Sequence, residues 1–131
     1  MPDFKKYFKI FASPEEVYNA LTNPLAIRLW TGEEAIMKAE SNTEFELYDG
    51  NIAGKNLSFV ENYKIEQEWY FGEEEKEPSI VVIKLHPAPY GTSLELKHTN
   101  IPEEAYEDMI EGWEEVYMYD LNEFFIEDEN E

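Results

Sequence analysis

Cysteine is absent from this chain of 131 residues. That excludes disulfides, thiol nucleophiles and thiolate-held metal, and it makes a reducing compartment, the cytoplasm, the expected setting. Basic residues are scarce: Lys and Arg number 10 against 30 Asp and Glu, for a net charge of -20. Such a surface repels nucleic acid and anionic membrane, so neither is an expected partner. The deficit is uneven. Lys5, Lys6, Lys9 and Arg28 leave residues 1–28 at +1, and the remainder carries -21. The acidity reads either as a solvated face or as a surface for a basic protein partner. No apolar run approaches the roughly 20 residues that a bilayer span requires. Near the N-terminus Lys9 interrupts the apolar stretch, and Glu15 and Glu16 follow, so a signal peptide is not expected. There is no linker and no internal repeat. One domain over 1–131 is expected, with 127–131 as a frayed acidic tail.

Chemistry-bearing motifs are also missing. No serine sits in a nucleophile elbow, and no glycine-rich phosphate loop occurs. Glu103, Glu107 and Asp108 lie at helical spacing, but no inward histidine stands three or four residues on. No metal site and no cofactor are therefore expected.

What the chain does hold is 43% hydrophobic and 15% aromatic residues, enough for a core. From Pro102 to Ile126 apolar side chains recur at Tyr106, Met109, Ile110, Trp113, Val116, Tyr117, Leu121 and Phe124. Gaps of three and four predict one long amphipathic helix, opened by Pro102 and by Glu103 and Glu104 at the positive end of its dipole. Upstream, Phe4 to Phe11 reads as a first strand. Ser13-Pro14-Glu15-Glu16 is a capping box, and Asn23-Pro24 ends that helix and begins a second, which Thr31-Gly32 stops. These two short helices fit as a clamp under one end of a curved sheet.

From Ala35 to Thr99 the signals are strand and turn. Short strands are expected at Ile36 to Ala39 and Thr43 to Tyr48, with a tight hairpin at Asp49-Gly50-Asn51. Asn51 to Val60 follows, and Gly54 within it signals a bulge or a close backbone approach. Tyr63 to Phe71 alternates, with Ile65, Gln67 and Trp69 on one parity. Gly72 to Pro78 is an acidic loop, and Ile80 to Leu85 is a strand buried on much of both faces. Thr92 to Thr99 alternates, with Leu94, Leu96 and His98 on one side. Six to seven antiparallel strands under one long helix make an α+β domain. The gap between such a sheet and its helix is a candidate ligand cavity.

This order, and several residue strings within it, resembles the family of activators of the heat-shock-protein-90 ATPase (AHSA-type), specifically its C-terminal-type domain. The strings are Ala12-Ser13-Pro14-Glu15-Glu16-Val17-Tyr18, Leu21-Thr22-Asn23-Pro24, Trp30-Thr31-Gly32, Asp49-Gly50-Asn51-Ile52-Ala53-Gly54, Ile65 with Trp69, Gly91-Thr92 and Gly112-Trp113. That family belongs to the SRPBCC superfamily, which also includes START lipid-transfer domains and birch-pollen allergens. The resemblance implies the helix-grip fold. Ser41-Asn42-Thr43 departs from the family's pattern, where a glycine often precedes the third strand.

In a helix-grip fold Trp30, Trp69 and Trp113 approach the cavity from the second short helix, a mid-sheet strand and the long helix. They read either as core packing or as a wall for an apolar or aromatic ligand. The leading expectation is a non-enzymatic protein holding a small hydrophobic molecule. Its candidate lining is Trp30, Ile65, Trp69, Leu94, Leu96, Met109, Ile110, Trp113 and Tyr117, with His98 or Gln67 orienting a polar end. No catalytic residue is assigned. Asn56 and Tyr48 are further candidates for polar groups inside. The resemblance implies a second reading, a chaperone-regulating interaction module. A third, an enzyme of the cyclase or hydratase kind, would need an inward titratable group such as His98.

Overall fold

The computed structural model describes residues 2–71 and 78–129, the side chains of 127–129 excepted. The expected acidic loop lies outside the described residues apart from Pro78. The tail is helical backbone to Glu129 and lies outside them beyond it.

Strand β1 spans Phe4–Ile10, and helices α1 (Pro14–Thr22) and α2 (Pro24–Thr31) follow. Ser13 accepts from the Glu16 amide, and the Glu16 carboxylate accepts from the Ser13 amide, which completes the capping box. Asn23 caps α2 through its side chain, and Gly32, in the left-handed region, ends it. Strands β2 (Glu44–Leu47), β3 (Ile52–Val60), β4 (Lys64–Trp69), β5 (Ser79–Ala88) and β6 (Gly91–Thr99) complete one antiparallel sheet in the order β1-β6-β5-β4-β3-β2. This is the expected α+β helix-grip architecture, with six strands. The segment expected as a strand at Ile36 to Ala39 forms a single bridge, Ile36 to Glu46. Beyond it Met37 turns into the core, and the Lys38 carbonyl accepts from the Asn56 side chain instead of a strand partner.

The inner face of the sheet is apolar. Ile65 and Trp69, Val81, Ile83 and Leu85, and Leu94 and Leu96 are all buried in one cluster with residues of the helices. The outer parity of β5 is partly covered rather than buried, so this strand alternates. Gly54 makes a close approach possible between β3 and its neighbours. A Cβ there would lie 1.9 Å from the Glu68 carbonyl oxygen and 2.8 Å from the Phe45 ring. The bulge sits further along β3, between Asn56 and Ser58.

The C-terminal helix is not one regular helix. A 3-10 turn at Glu103–Ala105 leads into α3 (Tyr106–Gly112), then a π turn at Trp113–Tyr117, then α4 (Met118–Glu129). At the π turn the Met118 amide donates to the Trp113 carbonyl, five residues back. This wide turn shifts the stripe. Trp113, Tyr117, Met118, Leu121 and Phe125 are buried, whereas Val116 is 45% exposed. Phe124, expected in the stripe, only packs partly against the core. Asn122 ties α4 to the free edge of β1: its amide donates to the Lys9 carbonyl at 2.8 Å, and its carbonyl accepts from the Phe11 amide at 3.4 Å. Lys6 pairs with Glu114 across the same edge.

Gly54→Ala is expected to destabilise the fold by about 3 kcal/mol, because backbone rather than a flexible side chain blocks the added methyl. Chemical denaturation measures this, and a loss within error of zero would contradict the β3–β4 packing.

Candidate functional site

A cleft of about 320 Å³ opens between the sheet and the C-terminal helix. Tyr48, Ile52 and Trp69 form its sheet side, and Met109, Gly112, Trp113, Val116 and Tyr117 its helix side; Glu33 and Asn51 stand at the rim. The hairpin places Tyr48. Tyr48, Asp49 and Gly50 all have positive φ, and the Asn51 amide donates back to the Tyr48 carbonyl. Two consecutive non-glycine residues in that region are uncommon and carry backbone strain.

The walls are aromatic. Trp69 stacks on Trp113 at 4.7 Å and 24°, and Tyr117 lies 4.6 Å from Trp113. Trp30 meets Tyr117 edge-on at 5.1 Å. Its indole N–H is bound to the Ala20 carbonyl at 2.8 Å, so Trp30 stands one layer behind the wall.

Both wall indoles are fixed from behind. The Trp113 N–H donates to His98 Nδ1 at 3.1 Å, and His98 Nε2 lies 3.0 Å from Ser79 Oγ. Ser79 spends its own proton on the Trp69 carbonyl at 2.9 Å. His98 Nε2 therefore carries the hydrogen and Nδ1 accepts, a single neutral tautomer set by its neighbours. Burial lowers the His98 pKa to about 4. The Trp69 N–H donates to Gln67 Oε1 at 2.9 Å, and Gln67 donates to Asn56 Oδ1 at 2.9 Å. Asn56 passes the chain to Thr43 Oγ1 and the Lys38 carbonyl. Among the described residues no buried side-chain polar atom lacks a partner.

Apart from Trp30, which stands behind the wall, the expected apolar lining separates into three groups. Trp69, Met109, Trp113 and Tyr117 come together on the cleft. Ile65, Leu94 and Leu96 are buried deeper in the core and do not reach it. Ile110 belongs to a surface groove with Tyr106 and Glu111, on another side of α3. His98 and Gln67, expected to orient a ligand, instead orient the two tryptophans. Tyr48, a candidate for a polar group inside, does line the cleft, whereas Asn56 lies behind it, and Ile52, Gly112 and Val116 were missed as wall residues. The signals that could have found them are the Asp49-Gly50-Asn51 turn beside Tyr48 and the glycine preceding Trp113 inside a helical pattern.

At the rim the Tyr48 hydroxyl donates to Asp120 Oδ2 at 2.9 Å. Burial first, then that bond and the Asp120 charge, push the Tyr48 phenol well above its ordinary range; burial does the same to Tyr117. A second, shallower groove of about 650 Å³ lies outside the cleft, along Leu25, Arg28, Leu29, Glu33, Glu34 and Asp49. Among the described residues no group of three or more His, Asp or Glu side chains is arranged to hold a metal ion. None of the described helices is long and apolar enough to cross a membrane.

A curved antiparallel sheet gripping a C-terminal helix, with a cleft between them, defines a helix-grip domain. The profile of the family described as "Activator of Hsp90 ATPase homolog 1-like protein" matches residues 11–125, and the chain belongs to that family. It is 27% identical over 108 residues to activator of 90 kDa heat shock protein ATPase homolog 2 of Mus musculus, which covers 82% of this chain and 33% of that protein. The chain thus spans about a third of the length of this relative. Among solved structures it is similar to a protein of Mesorhizobium loti, with a TM-score of 0.83, 21% identity, and coverage of 96% of this chain and 98% of that one. It is also similar to an HSP90 activator from Plasmodium falciparum, with a TM-score of 0.82, 23% identity, and coverage of 91% and 92%.

The neutral His98 sets a pH dependence. Its folded pKa, about 4, lies below the value near 6.5 of an unfolded histidine, so on acidification the unfolded chain takes up the proton first. The contribution is whole above pH 6.5 and falls away between there and pH 4, a loss of about 3 kcal/mol. The stability gap between the native protein and His98→Gln should shrink by that amount from pH 7 to pH 4. Denaturant titrations at each pH measure it, and a constant gap would refute the assignment.

Proposed function

We propose that this chain is a non-enzymatic binding domain that holds a small, largely apolar molecule against Trp69, Trp113 and Tyr117. Gly112 carries the argument. It sits within the helical backbone on the cleft wall, where glycine costs about 0.5–1 kcal/mol relative to alanine. A Cβ there would meet nothing within 4 Å, so no neighbour requires the glycine. The space it leaves belongs to the cleft. The bonded, nearly buried indoles form the floor of that space, Ile52, Met109 and Val116 supply its accessible apolar surface, and burial of ligand surface on them is the driving force. The cyclase or hydratase reading is weakened because both His98 ring nitrogens are engaged and the ring is driven neutral by burial. The chain is read as one domain, in the cytoplasm.

Gly112→Ala should stabilise the free protein by about 0.5–1 kcal/mol. Gly112→Leu should fold and fill the cleft. Native mass spectrometry of the protein as purified, against the same sample denatured, is expected to show a bound mass that Gly112→Leu lacks. Equal retention by that variant would sink the assignment.

The relatives' names favour a second reading, a module that docks on a chaperone. Leu25 and Leu29, 66% and 71% exposed, lie in the shallow groove with Glu33, Glu34 and Asp49, chemistry suited to a partner both basic and apolar. Chaperone binding that weakens with salt and is lost in Leu29→Asp is the expected outcome. Capture indifferent to both would remove this groove from consideration.

A further inference from the structure

We infer that the cleft is selective for a cation: an apolar or aromatic body carrying a protonated amine or quaternary ammonium, seated with its charge at the rim formed by Glu33 and Tyr48. The inference rests on the cleft being a ligand site, and it names the class of ligand.

The charge inventory comes first. Among the described lining side chains none is Lys, Arg or His, and Glu33 is the single ionised group. The nearby Arg28 lines the adjoining groove and pairs with Glu34 at 3.3 Å on the exposed surface. Asp120 stands behind Tyr48 and holds its hydroxyl proton. A carboxylate or phosphate at this rim would face the Glu33 carboxylate, with Asp120 behind Tyr48 and no cationic side chain in the lining.

The hydrogen-bond inventory points the same way. Two wall donors are spent away from the cleft, the Trp69 N–H on Gln67 and the Trp113 N–H on His98, and the Tyr117 hydroxyl can either donate or accept. The Tyr48 hydroxyl directs its hydrogen at Asp120, so its oxygen is left as an acceptor toward a ligand. One N–H of the Asn51 amide is bound to the Tyr48 carbonyl at 2.7 Å. What remains at the rim is mainly acceptors: Glu33 carboxylate, Tyr48 Oη and Asn51 Oδ1. A ligand with N–H or N-methyl groups satisfies them; an anion does not.

The long-range field of the chain adds a third preference. The net charge of -20 raises the local concentration of any cation.

Three probes with one body separate the terms: phenylbutylamine, phenylbutanol and phenylbutyrate. Their binding is followed by the indole N–H resonances of Trp69 and Trp113 in the full chain. The amine is expected to bind about tenfold more tightly than the butyrate, with the alcohol between, because Glu33 attracts one charge and repels the other. That spread should narrow in high salt and in Glu33→Gln, a change at an exposed rim position. Equal affinity for amine and butyrate, or a spread unmoved by Glu33→Gln, overturns the cation selectivity while leaving the cleft an apolar site. No shift from any of the three up to millimolar concentration overturns the cleft itself, and this inference with it.

Discussion

The hydrogen bond from the Trp113 indole to His98 Nδ1 is the point where helix and sheet become one structure. It joins the middle of the C-terminal helix to the last strand, and it holds the Trp113 ring flat against Trp69. The bond requires a neutral histidine with its hydrogen on Nε2, which in turn requires Ser79 to point its own proton at the Trp69 carbonyl. An uncharged ring with both nitrogens satisfied is stable in an apolar interior; a charged one is not. The cleft wall is therefore set from behind, and Gln67 and Asn56 do the same for the second indole. A cleft built this way is rigid, since its aromatic floor is held in place by buried hydrogen bonds.

Much of the fold was legible because each element carries a local signature. Ser13 to Glu16 is a cap by its own chemistry, Asp49 to Asn51 is a turn, and the parities of Ile65, Gln67 and Trp69 and of Leu94, Leu96 and His98 each name a face. The site was less legible. Parity says which way a side chain points and not which neighbour it meets, because that depends on strand register and on how the helix crosses. Leu94 and Trp69 share a face of one sheet, yet only Trp69 reaches the cleft. The π turn was invisible for a related reason: Trp113, Tyr117 and Leu121 are evenly spaced at four residues, which an ordinary helix also permits. Only the backbone bond from Met118 to Trp113 shows that the register changes there.

Family membership and cleft chemistry bear on different questions. The match over residues 11–125 establishes descent and architecture. The lining is a property of this chain's own side chains, and it combines apolar walls with an acidic rim. The exposed leucines of α2 lie next to that rim and share Glu33 with it. A molecule in the cleft and a protein on α2 would thus feel one another through a common carboxylate.

The side chain of Asn122 has a consequence for how copies of this molecule meet. A sheet border with unsatisfied amides and carbonyls is a template for another strand, and β1 is such a border. Asn122 occupies the Lys9 carbonyl and the Phe11 amide as a short surrogate for the missing neighbour. Lys9 adds like charge against a second copy approaching in register, while Lys5 and Lys6 pair with Glu95 and Glu114. The opposite border, β2, is four residues long. Each margin therefore carries a feature that disfavours the edge-on addition of another strand, an amide at β1 and a short last strand at β2.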